Sequence, residues 1–144
     1  MKLVLSIFVI FLTLSSSAQD ENINVIHSFV KIVKNNEVSI ETFKTNYSFK
    51  EKFELEEDNY EFYLGAIQYL KDVLIQDNVS YKIIKYNEAQ KDIEVYRIND
   101  RIEDVYVLVV SVGQQYNNIY FLMNNNRIES FSILRKGDTI IGWN

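Results

Sequence analysis

Residues 22–34 set Ile23, Ile26, Phe29, Val30 and Val33 at three-and-four spacing, the period of a helix with one buried face. Asp20 and Glu21 before this stripe and Lys31 and Lys34 at its end suit the helix dipole, and Asn35-Asn36 supplies a stop. Ser39 is placed to cap a shorter helix carrying Ile40, Phe43 and Tyr47. Asp58 with Glu61 forms a capping-box-like start for a third helix, in which Tyr60, Tyr63, Leu64, Ile67, Leu70 and Leu74 share a face up to Asp77-Asn78. The stretch 49–57 alternates charged and aromatic residues without a clean period.

From Val79 onward the pattern changes to strands. Segments 79–86, 93–98, 104–112, 119–123, 128–134 and 139–143 are rich in Val, Ile, Tyr and Phe. Polar clusters such as Asn87–Asp92 and Asn124-Asn125-Asn126 lie between them. Connections this short favour hairpins, since a parallel crossover needs about a dozen residues or more. The expected fold class is α+β: N-terminal helices packed on a curved antiparallel β-sheet formed by the C-terminal half, as a single domain over 19–144.

Two strands break the alternation that a sheet with one wet face shows. Val105, Val107 and Val109 point one way while Tyr106, Leu108 and Val110 point the other. Ile119, Phe121 and Met123 likewise oppose Tyr120 and Leu122. Both faces of the sheet centre therefore require cover. The cover is either the chain's own Ile140–Trp143 or Phe49–Phe53 segment, or else a binding cleft or a self-association surface, because large apolar patches rarely stay exposed.

The N-terminus follows a different logic. Met1-Lys2, an apolar run from Leu3 to Leu14, and Ser15-Ser16-Ser17-Ala18 make a secretory signal over 1–18, with Gln19 opening the exported chain. The run is too short for a spanning helix, which needs roughly 20 apolar residues, so no stable membrane anchor is expected after cleavage. The expected location is secreted, periplasmic or extracellular. With zero cysteines, stability must come from packing and hydrogen bonds alone. The formal net charge of −5 becomes more acidic once Lys2 is removed, which disfavours nucleic acid as a partner.

Candidate chemistry is sparse. His27 is the sole histidine, so two-histidine metal sites and HExxH motifs are excluded, and no metal, cofactor or catalytic residue is assigned. Glu51, Glu54, Glu56, Glu57, Asp58 and Glu61 form an acidic cluster without the glycine-centred loop of a calcium site. Arg97, Asp100, Arg101, Glu103 and Asp104 gather at one hairpin.

In outline the chain resembles the nuclear transport factor 2-like superfamily. The matching parts are the helices at 22–34 and 58–76 and the ending Tyr120–Lys136, where an Asn-rich turn separates two late strands. The resemblance implies a cone-shaped α+β domain whose mouth holds a ligand or active site, with Tyr106, Tyr120 or Trp143 lining a cavity for a small apolar ligand. The residues themselves point first to a non-enzymatic exported binding module. It would engage a protein partner, such as the target of an immunity or inhibitor protein, or a second copy of itself, through one sheet face.

Overall fold

The computed structural model describes residues 20–48 and 60–143, apart from the side chain of Tyr60. The predicted leader, the Phe49–Phe53 segment and Asp58 lie outside the described residues.

Three helices come first. Helix α1, Glu21–Lys34, is capped by the Asp20 carboxylate, which accepts from the Asn22 N–H at 3.1 Å, and it buries Ile26, Phe29, Val30 and Val33. Helix α2, Ile40–Asn46, begins as predicted with the Ser39 hydroxyl accepting from the Thr42 N–H at 3.0 Å. Helix α3, Tyr60–Leu74, buries Tyr63, Ile67, Leu70, Val73 and Leu74. Leu64, placed on the buried face by its spacing, is 49% exposed and Val73 takes its place.

A four-stranded antiparallel sheet follows, ordered β1-β3-β4-β5: β1 Val79–Lys85, β3 Val105–Val112, β4 Gln115–Asn124 and β5 Arg127–Ser130. Its turns carry their chemistry openly. Gly113 adopts the positive φ that the tight β3–β4 turn requires, and Asn125 and Asn126 both do so between β4 and β5. On one face Tyr106, Leu108, Val110, Ile119, Phe121 and Met123 meet α1 and α3 in the main core. Fully burying side chains of this size stabilises by roughly 1.5–3 kcal/mol each.

The other face is covered by the chain itself. Val105, Val107, Val109, Tyr120 and Leu122 are at most 2% exposed beneath Tyr86, Ala89, Ile98 and Ile140, with Ile133 and Trp143 packed at the margin. Of the covers open to the sequence, the C-terminal segment contributes Ile140 and Trp143, the rest coming from Tyr86, Ala89 and Ile98, while Phe49–Phe53 lies outside the described residues. No open apolar sheet face is left among the described residues to serve as a flat recognition surface.

Three further departures share one cause. The Asn87–Asp92 cluster is not a turn but helix α4, Tyr86–Asp92, which sets Tyr86 and Ala89 onto the second core, both fully buried. Only Arg97–Ile98 of the 93–98 segment is a strand, β2, because residues 93–96 cross the sheet face instead of joining its edge. The 128–134 strand bends at Phe131-Ser132, so β5 belongs to the large sheet while β6, Ile133–Lys136, belongs to a second sheet ordered β2-β7-β6, with β7 Thr139–Trp143. The β2–β7 pair is parallel, so the strands are not one antiparallel meander. In each case, burying the second face outweighs the local pattern.

Candidate functional site

The bend at Phe131-Ser132 opens a fork in the sheet. Ser130, fully buried, fixes it locally: its hydroxyl accepts from the Ser132 N–H at 3.2 Å and donates to the Ser132 carbonyl at 3.0 Å. Phe131 stays anchored, stacked on Phe121 with ring centroids 5.7 Å apart. Beyond the bend, β6 diverges from β4, and a cleft of ≈ 540 Å³ lies between them, walled on one side by α3.

Each wall has a clear origin. Phe62, Gly65, Ala66 and Tyr69 recur at helical spacing along α3, off its buried stripe. Asn118, Ile119 and Tyr120 come from β4, and Phe131, Ser132 and Ile133 from the bend. Consecutive strand residues point to opposite faces, so a lining that takes Asn118, Ile119 and Tyr120 in a row means that the edge of β4 borders the cleft, whereas β6 contributes Ile133 and Arg135 from one of its faces. A second hollow of ≈ 280 Å³ shares Tyr69, Tyr96, Asn118 and Tyr120 and extends to Tyr116, Glu94 and Asp138.

The far wall is built on Tyr96. Its ring stacks on Tyr120 at 5.7 Å, its N–H donates to the Tyr120 hydroxyl at 2.8 Å, and Arg135 lies 4.8 Å over its centre while donating to its hydroxyl. The Asn118 amide donates to the Glu94 carbonyl at 2.9 Å, tying the crossing segment to β4. Burial raises the Tyr120 phenol above its ordinary pKa, against the bond it accepts from Tyr96, so it stays protonated at neutral pH. The Asn118 Oδ1 is buried and has no hydrogen-bond partner among the described residues.

Of the three residues singled out for binding, Tyr120 lines the cleft and the other two do not. Tyr106 faces the helix side, where its hydroxyl donates to Asp20 at 2.9 Å and accepts from the Asn22 amide at 3.1 Å. Trp143 pairs with cleft-lining Ile133 across β6–β7 but is itself outside the lining. His27 is exposed on α1, its Nδ1 3.1 Å from the Tyr81 hydroxyl and away from the cleft. Arg101 grips both Glu129 oxygens at 2.9 Å and Asp104 at 3.1 Å, a brace beneath the β4–β5 hairpin.

Sequence reasoning missed Phe62, Gly65, Tyr69, Tyr96 and Arg135. A glycine inside an otherwise strong helix was the available signal, since it costs about 1 kcal/mol relative to alanine and usually has a reason. Among the described residues, no group of three His, Cys, Asp or Glu is placed to hold a metal ion, and no helix is long and apolar enough to cross a membrane. Compared with family models, curated proteins and solved structures, the chain matches none.

Proposed function

We propose that this chain is an exported, non-enzymatic binding module that receives part of a protein partner in the cleft between α3, β4 and β6. The carrying observation is the fork itself. The edge of β4, a face of β6 and an aromatic helix face are held apart by a buried serine bend, with a glycine on the wall where a side chain would fill space. Arg135, the one cation among the described lining residues, is already engaged with Tyr96, while Glu61 is exposed. An immunity or inhibitor role toward a basic exported partner is the specific form that the acidic composition fits.

The test is a photo-reactive phenylalanine analogue placed at Phe62 or Tyr69, with exposed Ile75 outside the cleft as control. A discrete protein adduct from the cleft positions only is the expected outcome. Identical adducts from all three positions, or none, would overturn the assignment.

A second reading has its own support. The cleft volume falls within the roughly 300–1,000 Å³ of small-molecule sites, as a ligand-binding member of the nuclear transport factor 2-like superfamily would require. Native mass spectrometry distinguishes it: a bound small mass that is absent from Gly65→Trp favours this reading over the first.

A further inference from the structure

We infer that the partner enters as an added β-strand: an extended segment bearing lysine or arginine that pairs along the outer edge of β4 from Gln115 to Phe121. This rests on the cleft being a protein-recognition site and specifies how recognition works.

The backbone supplies the first argument. β3 pairs with β4 over Gln115–Leu122, whereas β5 pairs only with Leu122, Met123 and Asn124 before the strand bends away. The outer edge of β4 from Gln115 to Phe121 therefore has no strand partner among the described residues. Such an edge presents a row of donors and acceptors that only another extended backbone satisfies in full. At about 3.4 Å per residue, this stretch accommodates a short strand.

The walls decide what kind of strand fits. From Asn118 to Tyr120 the edge lines the cleft between α3 and the Tyr96–Arg135 wall, so a strand embedded in another folded sheet would meet both walls there before it reached β4. A lone extended segment does not, which argues against a second copy of this domain. Alternate side chains of an added strand would face Gly65 and Ala66, where there is room for bulky apolar groups, and the Tyr96–Tyr120 stack opposite. A Cβ at Gly65 meets no atom within 4 Å among the described residues.

Charge sets the remaining preference. Asp138 is paired with Arg97 at 2.7 Å and Arg135 is committed to Tyr96. Exposed Glu61 and Glu94, at the borders of the two joined hollows, form no ion pair among the described residues. Arg135 keeps its positive charge beside the neutral Tyr96, so Glu61 and Glu94 stand against one cation and leave a net negative charge among the described lining residues, which makes the complementary segment cationic.

The test uses protein expressed from the full chain and a displayed library of random twelve-residue peptides. Selected peptides are expected to be rich in lysine or arginine and to slow hydrogen exchange at Gln115–Phe121. N-methylation at alternate peptide amides should weaken them about tenfold, against less than about threefold at the intervening ones. Joint Glu61→Gln and Glu94→Gln substitution should weaken binding about threefold or more and flatten its salt dependence.

Peptides that Gly65→Trp displaces, but that tolerate methylation at every amide, overturn strand addition and leave the cleft reading standing. No selected peptide, or peptides indifferent to Gly65→Trp, overturns both. A dimer in sedimentation that Gly65→Trp dissociates replaces the partner with a second copy and overturns the inference. Gly65→Gln repeats each arm if the tryptophan variant unfolds at lower denaturant.

Discussion

Replacing Gly65 by alanine separates a helix built for stability from one built to leave space. Gly65 lies inside the fifteen-residue helix α3, where glycine is about 0.8–1.0 kcal/mol less favourable than alanine. Its backbone has no positive φ that would require glycine, and a Cβ there touches nothing within 4 Å among the described residues. No overpacking cost offsets the gain, so Gly65→Ala should stabilise the fold by about 1 kcal/mol. With unfolding entropy near 2.1 cal/mol/K per residue, that raises Tm by roughly 3–5 °C. Urea denaturation should show a higher midpoint at unchanged m-value. If the partner's segment occupies this space, affinity should fall as stability rises, a common exchange at binding sites. A variant less stable than the parent by more than about 0.5 kcal/mol would mean the space is filled in the folded protein, and the open cleft would be refuted.

Other expectations concern the scaffold. The Tyr86 hydroxyl donates to the Tyr96 carbonyl at 2.8 Å and accepts from the Ile98 N–H at 3.2 Å. Tyr86→Phe should therefore cost about 1–3 kcal/mol in urea denaturation, and a loss below about 0.5 would show that this bond does not hold the crossing segment. Burial alone would raise the Asp20 carboxyl, but hydrogen bonds from Lys85 and Tyr106, the Lys85 charge and the Asn22 N–H outweigh it and hold the pKa below the ordinary value. That stabilisation is complete above the unfolded carboxyl pKa, near 4, and is lost as pH falls through the lower folded value. Asp20→Asn should thus be less stable than the parent at pH 7 and converge with it as pH falls through the lowered folded value; a gap that stays constant on acidification would contradict the account. A chain ending at Asp138 lacks β7 and so loses Ile140 and Trp143 from the cover over Val105, Val107 and Val109, which Tyr86, Ala89 and Ile98 then share alone. It should bind a hydrophobic dye and self-associate in sedimentation, and a dye-silent monomer would show that β7 is not the essential cover.

Local pattern revealed a good deal of this architecture. The stripes of α1 and α3, the Ser39 cap and the asparagine turn are consequences of spacing and backbone preference, and they were legible. The non-alternating runs of β3 and β4 announced two buried faces correctly, because residue period reports which faces are apolar. Period does not report what lies over them. Residues 86–98 read as turn and strand because their polar positions dominate locally, whereas Tyr86, Ala89 and Ile98 follow the demands of the second core. The bend at Phe131-Ser132 was hidden for a related reason, since β-rich residues continue through it. Tyr120 was reachable from its place on a two-faced strand. Tyr96 and Arg135 were not, for they meet only after the crossing segment and the bent strand have both folded over the sheet.

The β2–β7 pairing joins Arg97 and Ile98 to Thr139 and Ile140, near the end of the chain. Those closing residues follow Arg97 and Ile98 by some forty positions. Until they pair, the valine row of β3 lacks the Ile140 part of its cover, and loop closure over that span must precede any reward from that contact. The C-terminus thus acts as a latch. Clipping the final strand would lift Ile140 and Trp143 from a face that Tyr86, Ala89 and Ile98 only partly roof.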